Sequence, residues 1–327
     1  MRIWRAYELG EPVDVMKLDD SDAPTARSNE IVVDVHAVGL NFPDILQCRG
    51  GYQVKPALPF AVGSEIAGVV TELGEGVSGI SVGDRVAGNA AGGLAEQAVM
   101  RADKVFPLSA TIPAAKAAAL ISNYTTTHYA LHDRAQIQAG ETLLVHAGAG
   151  GIGSSAIQLG LAAGARVFAT AGGAEKVQIC KELGAELVID YNSEDLVETI
   201  RAATDNNGVD VVYDPVGGDI FDQSRRVVGW NGRYLVIGFT SGRIPEAPAN
   251  HILLKNYSVV GVHWGAAVAR EPAAMPRTFA KLVDLYDQGR IDPLIFREPL
   301  PLADAAKALT MLGARQTWGK VIIDPAR

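Results

Sequence analysis

The first third of the chain alternates short apolar runs with glycine-punctuated turns. Two runs rich in β-branched residues, 30–38 and 65–73, are separated from a further apolar run at 85–87 by closely spaced glycines. β-Branched side chains fit the pleated, half-buried surface of a sheet, and glycines of this kind mark tight turns. Several short strands at this spacing predict a small β-barrel or β-sandwich.

After an alanine-rich helical region at 114–131, which a threonine run interrupts, the pattern switches to alternating strands and helices. The predicted strands are 142–146, 166–170, 187–190, 209–213, 234–238 and 258–262. The predicted helices are 152–163, 175–183, 193–203 with Asn192 as N-cap, and 220–228 capped by Asp219. Short apolar strands with helices between them predict an α/β fold with a doubly wound parallel sheet.

The C-terminal region contributes a long helix at 275–288, a shorter helix at 302–312 and a strand at 320–323. These elements are too few to enclose a core of their own. We therefore expect them to pack on the N-terminal β region. The predicted domains are 1–122 with 265–327 for the β domain, and 123–264 for an inserted dinucleotide-binding domain.

One glycine-rich motif carries most of the chemistry. The predicted strand 142–146 runs into Gly148-Ala149-Gly150-Gly151-Ile152-Gly153 and then into a helix. In a G-x-G-x-x-G motif in this setting, the first glycine allows a tight turn and the second lets a pyrophosphate approach the backbone. The third lets the helix pack on the strand. A dinucleotide is expected here, held by Gly148, Gly150, Gly151, Ile152 and Gly153; the alternative is a turn that binds nothing.

The residues after the second strand of this domain indicate which dinucleotide binds. An NAD site carries an acidic residue there for the ribose 2′-OH. Here the strand leads into Ala171-Gly172-Gly173-Ala174, and Glu175 is followed by Lys176. An ammonium group attracts a 2′-phosphate, so we expect NADPH. The alternative is that Lys176 is a solvated helix residue.

Composition and charge narrow the classes of protein. Apolar residues make up 48% and charged residues 20%, which excludes a disordered chain. The net charge of −8 argues against nucleic acid or an anionic membrane as a partner. Cys48 and Cys180 supply neither a disulfide framework nor a four-cysteine zinc site. With no signal-like N-terminus and no bilayer-spanning apolar run, we expect a cytoplasmic protein.

Several segments in fixed order resemble the medium-chain dehydrogenase/reductase superfamily. They are Val38-Gly39-Leu40-Asn41-Phe42-Pro43-Asp44, Arg49-Gly50-Gly51-Tyr52, the stretch 58–70, Gly83-Asp84-Arg85-Val86, the glycine motif and Asp214-Pro215-Val216-Gly217-Gly218. Within the superfamily they look like the zinc-free NADPH:quinone oxidoreductase branch. The resemblance covers nearly the whole chain. It implies a GroES-like β-barrel domain plus a Rossmann domain, and an enzyme that transfers hydride from NADPH to a quinone or similar conjugated carbonyl.

The similarity to the zinc-free branch depends on the residues that stand where zinc-dependent relatives have their zinc ligands. Zinc-dependent relatives use a Cys in the segment matching 39–44 and a His before the residue matching Glu65; this chain has Asn41 and Ser64 there. His128 and His132 stand four residues apart without an obvious third ligand, so we expect no metal. Without a Lewis acid, alcohol–ketone chemistry is disfavoured. A conjugated acceptor spreads the developing charge, and hydrogen-bond donors suffice.

The resemblance also suggests residue roles. The expected catalytic residues are Asn41 facing the nicotinamide and the acceptor, Tyr52 as a hydrogen-bond donor or stacking ring, Ser64 in the vacated metal position, and Thr126 near the nicotinamide. The expected cofactor residues outside the motif are Gly173, Lys176 and Tyr191 near the adenine-ribose phosphate, Phe239 beside the nicotinamide, and Arg315 on a phosphate. For Asn41, Tyr52, Thr126 and Arg315 a purely structural role is the alternative. Asp44 and Glu65 are expected to be structural.

Two other functions stay open at this stage. The chain could reduce the double bond of an enone or an enoyl thioester, or it could bind NADPH without catalysis. A thioester would favour a basic rim, for which Arg277, Lys281, Arg290 and Arg297 are the candidates. The apolar last strand, 258–262, lacks the Lys or Pro that guards an exposed sheet edge, which favours a homodimer joined there.

Overall fold

The computed structural model describes residues 1–109 and 111–327, which contain the following elements. The strands are β1 Arg2–Ala6, β2 Met16–Asp20, β3 Glu30–Gly39, β4 Phe60–Ala61, β5 Glu65–Leu73, β6 Arg85–Asn89, β7 Gln97–Arg101, β8 Val105–Pro107, β9 Thr142–Val145, β10 Arg166–Ala171, β11 Leu187–Asp190, β12 Val209–Asp214, β13 Val228–Val236, β14 Ser258–Gly261, β15 Leu300–Pro301 and β16 Ile322–Asp324. The helices are α1 Pro12–Val15, α2 Phe42–Cys48, α3 Ala114–Ala119, α4 Thr125–His128, α5 Gly151–Ala162, α6 Ala174–Glu182, α7 Leu196–Ala203, α8 Gly218–Ser224, α9 Ala249–Lys255, α10 Trp264–Arg270, α11 Ala274–Asp287 and α12 Ala305–Gly313.

The chain divides into two compact units. The first unit comprises Met1–Ser122 and Leu294–Arg327, and the second comprises Asn123–Pro293. The chain therefore returns to the first unit at Leu294, not at residue 265 as the sequence analysis predicted. Residues 265–293 belong to the second unit, where the Gln158 side chain exchanges hydrogen bonds with the backbone of Asp292. An amphipathic helix such as α11 does not reveal by its pattern which core it covers.

The first unit is built mainly from antiparallel β-sheet, in which only the described pair β15 and β16 is parallel. A larger sheet has the order β15-β16-β3-β5-β6-β8 with β7 also paired to β3, and a smaller sheet has the order β2-β1-β4. The C-terminal tail is integral to it, because β16 pairs with β3 and the Trp4 indole donates to the carbonyl oxygen of Leu302 at 2.7 Å. One apolar core joins both sequence segments, from Trp4 to Ile323. The N-terminal region therefore has the predicted β fold, and the tail from Leu294 onwards completes it.

The second unit contains the predicted doubly wound sheet. Its order is β11-β10-β9-β12-β13-β14, and the paired strands are parallel throughout. From β9 the chain first winds to one side, through β10 and β11, and then to the other, through β12 to β14. The switch point therefore lies between β9 and β12, where open α/β sheets bind ligands at the carboxyl ends of their strands.

Several local predictions differ from the structure. The threonine run does not interrupt the helical region: it forms α4, flanked by π-helical turns at Leu120–Tyr124 and Tyr129–Arg134. The N-cap of α7 is Asp195, whose carboxylate accepts from the Glu198 N–H at 2.8 Å, and not Asn192. Asp219 lies inside the first turn of α8, which Gly217 begins and which ends before β13.

No helix in the described parts of the chain is long and apolar enough to cross a membrane.

Candidate functional site

The glycine motif forms the turn from β9 into α5. Gly150 is the N-cap of α5, and Gly151 and Ile152 open its first turn, so the free N–H groups of a twelve-residue helix lie at the motif. A Cβ on Gly153 would stand 2.0 Å from the carbonyl oxygen of Ala147, which leaves no room for a side chain. The third glycine therefore allows close packing of helix and turn, as predicted. This helix end suits an anionic pyrophosphate.

The first glycine has a different role from the one expected. The left-handed residue of the turn is Ala147, with φ of 53°, and Gly148 is not left-handed. A Cβ on Gly148 would lie 2.9 Å from Cys180 Sγ and 3.0 Å from Ala169 Cβ. Gly148 is thus required by packing against β10 and α6. Burial raises the pKa of the Cys180 thiol to about 12, so this cysteine is inert below the turn.

A buried histidine anchors the turn from below. His146 Nδ1 lies 3.0 Å from Thr170 Oγ1, and its Nε2 lies 2.7 Å from Ser224 Oγ. Both ring nitrogens are therefore engaged, and burial lowers the pKa of His146. These contacts tie the end of β9 to β10 and α8. His146 is not among the residues that the sequence predicted for the site.

Three of the predicted cofactor residues, Gly173, Lys176 and Tyr191, lie near the end of β10. Gly173 has φ of 85°, caps the nine-residue helix α6, and its Cβ position is open space. Lys176 lies in the first turn of that helix, and the Tyr191 ring covers Gly172. Asp190 is the nearby acid that sequence reasoning missed. Its Oδ1 accepts from the N–H groups of Gly173 and Asn192, each at 3.0 Å, so this carboxylate supports the loop.

Phe239 lies in a second loop, which follows the carboxyl end of β13. Asp214 Oδ1 accepts from the N–H groups of Val216 and Gly217, and its Oδ2 accepts from the Tyr234 hydroxyl at 2.6 Å. These bonds hold Gly217 at φ of 67°. A Cβ on Gly217 would meet the Phe239 ring at 2.9 Å, so the ring lies on this turn while remaining 38% exposed. The Asp214 carboxylate explains the motif that the sequence analysis quoted only for its resemblance.

Thr126 lies on α4 beside a residue that faces the core. Thr127 Oγ1 contacts Ser155 Oγ at 2.7 Å and the Tyr213 hydroxyl at 2.8 Å, deep inside the second unit. Successive helix residues point about 100° apart, and Thr126 is only partly buried. Of these two threonines, Thr126 is therefore the one accessible to a ligand.

In the first unit, Asn41 belongs to a buried ionic cluster. Lys320 Nζ donates to Asn41 Oδ1 at 2.7 Å and forms an ion pair with Glu65, and both charged side chains are at most 3% exposed. Gly39 makes room for this pair, because a Cβ there would collide with the Glu65 carboxylate and the Lys320 side chain. Lys320 is not among the residues that the sequence predicted for the site. The resemblance covers this end of the chain as far as Gly319-Lys320-Val321, which is the only signal that the sequence gives for Lys320.

Hydrogen bonds and burial also shape the surroundings of Asp44, Tyr52 and Ser64, the other candidate residues of the first unit. Asn41 is the N-cap of α2, and its backbone N–H donates to Asp44 Oδ2 at 2.8 Å. Burial, and secondarily the charge of Glu65, raises the pKa of Asp44 to about 7. Burial and the charge of Asp44 raise the pKa of the half-buried Tyr52. Ser64 precedes β5, and its carbonyl oxygen accepts from the Asn89 side chain at 3.1 Å.

Arg315 does not belong to the same unit as the other predicted cofactor residues. It lies in the first unit, exposed, just after α12, with φ of 59°. The glycine motif, Gly173, Lys176, Tyr191 and Phe239 all lie in the second unit. In the second unit, the cofactor candidates lie at the carboxyl ends of the parallel strands. In the first unit, Asn41 lies beside Asp44.

The described residues place no third metal-binding side chain beside the histidine pair. The rings of His128 and His132 lie 4.5 Å apart between centroids, and burial lowers the pKa of His128 to about 3. Among residues 1–109 and 111–327, no three His, Cys, Asp or Glu side chains are grouped as they would be around a metal ion.

Comparison with known proteins agrees with this layout. The family model for the alcohol dehydrogenase GroES-like domain matches residues 27–110, and that for zinc-binding dehydrogenases matches 151–286. Quinone oxidoreductase-like protein 2 homolog of Nematostella vectensis is 37% identical over 97% of this chain and 87% of its own length.

Solved structures with similar sequences cover nearly the whole chain. Escherichia coli quinone oxidoreductase complexed with NADPH superposes with a TM-score of 0.92 at 31% identity, over 99% of this chain and all of the other. The CurK enoyl reductase superposes with a TM-score of 0.86 at 28% identity, over 98% of this chain and 99% of the other.

Proposed function

Because this chain belongs to the quinone oxidoreductase-like branch of the medium-chain dehydrogenase/reductase superfamily, we propose that it transfers a hydride from NADPH to a quinone or similar conjugated carbonyl compound. The observation that carries the proposal is the arrangement at the carboxyl ends of the parallel strands in the second unit. There the strand–glycine–helix turn stands beside the end of β10, where the Asp190 carboxylate already accepts two backbone N–H groups and Lys176 follows in the first turn of α6.

The cofactor residues are proposed from the fit of these loops. Gly150, Gly151, Ile152 and the free N–H groups of α5 would hold the pyrophosphate, with Gly148 and Gly153 allowing the packing below it. The open space at Gly173 and the ammonium of Lys176 would accept the 2′-phosphate, with Tyr191 against the adenosine. Phe239 would border the nicotinamide, and Arg315 would add a contact to a phosphate. When bound, NADPH supplies the hydride.

The residues acting on the acceptor would be Asn41, Tyr52, Ser64 and Thr126. The amide N–H of Asn41 and the hydroxyl groups of the other three are hydrogen-bond donors suited to an oxygen that gains negative charge. The pKa of Tyr52 lies above the usual 10.0 of a tyrosine, so its hydroxyl is protonated and can donate at neutral pH. These donors stabilise charge without a metal because the charge on a reduced quinone is delocalised.

The alternative substrate is an enone or enoyl thioester, which the similarity to the CurK enoyl reductase favours. The candidate basic rim gives it little support. Arg277 pairs with Glu271 at 2.8 Å, the Arg290 guanidinium donates to the Ala162 carbonyl oxygen, and Arg297 stacks over the Phe296 ring. These contacts already engage three of the four cations, which favours a quinone over a thioester with an anionic carrier.

Steady-state assays test the proposal directly. Turnover of 1,4-benzoquinone and 9,10-phenanthrenequinone would be compared with that of 2-alkenals and crotonyl-CoA, each with NADPH and with NADH. We expect NADPH and quinones to give the highest kcat/KM. Preference for crotonyl-CoA would establish the alternative reaction, and preference for NADH would refute the cofactor assignment. Micromolar NADPH binding without turnover of any acceptor would indicate a binding protein.

A homodimer is the proposed assembly. Strand β14 forms one edge of the parallel sheet and carries no Lys or Pro. The preceding helix α9 leaves Leu253 and Leu254 78% and 76% exposed. A second copy that extends the sheet at β14 would cover these apolar side chains, and a two-fold axis would make the same patch serve both subunits.

A further inference from the structure

We propose that Lys320 is a positioning residue, whose ammonium group fixes and polarises the side-chain amide of Asn41. This inference rests on the proposed function, in which Asn41 faces the reacting groups. The direct observation is the 2.7 Å hydrogen bond from Lys320 Nζ to Asn41 Oδ1, made by a side chain that is 3% exposed.

The bond engages the amide oxygen of Asn41 and leaves the amide nitrogen as the group that can donate. Asn and Gln side chains can be oriented with oxygen and nitrogen exchanged, and the hydrogen-bond network decides between the two. An ammonium only donates, so it selects the orientation with Oδ1 towards Lys320. Nδ2 then makes one long bond, 3.3 Å, to the carbonyl oxygen of Gly39. Its second N–H has no acceptor among the described residues and is available to a bound molecule.

The charge on Lys320 also makes that N–H a stronger donor. A cation on the amide oxygen draws electron density from the nitrogen, and hydrogen bonds in such a chain strengthen one another in a low-dielectric site. The location of Lys320 is fixed by the sheet: β16 pairs with β3 so that Ile322 stands opposite Gly39, and Glu65 stands opposite Gly39 on the other side. The amide is therefore preorganised before any substrate binds.

A purely structural role for Lys320 must be separated from this one. Removing one partner of a buried ion pair leaves an uncompensated charge and destabilises the fold, whatever the pair does for catalysis. Lys320→Met alone is thus ambiguous. Replacing both partners with neutral side chains of similar shape, as in Lys320→Met combined with Glu65→Gln, removes that penalty and removes the charge from Asn41. The double variant is therefore the decisive protein.

Kinetics of the double variant give the first readout. We expect it to melt within about 5 °C of the wild type. We expect kcat to fall about tenfold, while the KM for the quinone and the Kd for NADPH change less than about threefold, because the polarised donor acts mainly on developing charge. Lys307→Met, which removes an exposed lysine of α12, is the matched control and should leave kcat unchanged. Wild-type kcat in the double variant would overturn the proposal.

A thermodynamic cycle tests whether Lys320 acts through Asn41. In an Asn41→Ala background, the Lys320→Met and Glu65→Gln pair should lower kcat by less than about twofold further, because the group it polarises is gone. A second, full tenfold loss in that background would show that Lys320 acts elsewhere and would overturn the assignment.

A readout that needs no turnover keeps this inference separate from the proposed function. In protein labelled with ¹⁵N-asparagine, the Asn41 side-chain amide resonance can be assigned by its loss in Asn41→Ala. We expect it to shift in the double variant and not in Lys307→Met; an unshifted resonance would refute the positioning role. If the wild type reduced no acceptor, the proposed function would fail, and this resonance would still decide whether Lys320 sets the amide.

Discussion

The Lys320 ammonium and the Asn41 side-chain oxygen lie 2.7 Å apart although 279 positions separate them in the chain. The contact exists because the C-terminal strand β16 returns to pair with β3, whose last residue, Gly39, has no side chain to obstruct it. A charged residue from the tail thus orients an amide that the N-terminal segment supplies. The first unit's candidate site depends on both ends of the sequence.

The carboxyl group beside this contact should make stability depend on pH. The pKa of Asp44 is raised from its usual 3.8 to about 7, so the folded state holds a proton that the unfolded chain releases at lower pH. Asp44 therefore contributes stability below pH 4 that is lost as the pH rises to about 7. The loss amounts to at most about 4 kcal/mol, from about 1.4 kcal/mol for each pKa unit.

Asp44→Asn should abolish that loss, because an amide oxygen can still accept from the Asn41 N–H and carries no charge. In urea unfolding at pH 4.5, 5.5, 6.5 and 7.5, the variant should gain stability relative to the wild type as the pH rises. Asp22→Asn, on an exposed residue, is the control and should show no such trend. A constant difference between Asp44→Asn and the wild type would contradict the assignment.

The third glycine of the turn should tolerate no side chain. In Gly153→Ala the new Cβ would press on a backbone oxygen, that of Ala147, which cannot move without displacing α5 from β9. We expect a loss of about 2 kcal/mol or more in the free energy of unfolding. Gly265→Ala is the matched control, because its Cβ would meet open space in a helix, and it should be neutral or stabilising by up to about 1 kcal/mol. Equal stability of the two variants would refute the packing argument.

Local sequence signals predicted most strands and helices of the second unit, but they did not predict how some of these elements begin and end. β11 was predicted with its observed ends because a β-branched apolar run stands between a helix-ending glycine and a turn. The start of α8 was misplaced because Asp219 has the form of a capping residue. The helix is in fact begun by Gly217, whose left-handed backbone is held by Asp214 from the end of β12. That contact is not visible in the local pattern.

The residues of the candidate site also differ in how far the local sequence could reveal them. The glycine motif could be recognised because its chemistry is carried by consecutive residues. The Lys320–Glu65 pair could not, because it depends on the register of three strands that the sequence brings from distant regions. Asp190 has the residue type of a ribose-binding acid, but only the structure shows that its oxygen is engaged by the Gly173 N–H.

Reversing the charge at Lys176 should change the cofactor preference. A carboxylate in the first turn of α6 would repel a 2′-phosphate that the ammonium attracts. For Lys176→Glu we expect kcat/KM with NADPH to fall at least about tenfold and that with NADH to change less than about threefold. Lys181→Glu makes the same charge change in the last turn of α6 and should alter neither. Equal losses with both cofactors would show that Lys176 does not bind the phosphate.

Charging the exposed leucines of α9 should separate the proposed dimer without unfolding its subunits. Leu253 and Leu254 are mostly exposed within one chain, so Leu253→Glu with Leu254→Glu should leave the melting temperature of the isolated chain nearly unchanged. In an assembled dimer each leucine would be buried, a contribution of about 1.5–3 kcal/mol per side chain, and the carboxylates would instead be desolvated. Sedimentation or light scattering should show a dissociation constant at least about a hundredfold higher than that of the wild type. Ile244→Glu, on another exposed apolar residue, is the control and should remain dimeric. A monomeric wild type at micromolar concentration, or a double variant that dimerises as tightly, would exclude this surface.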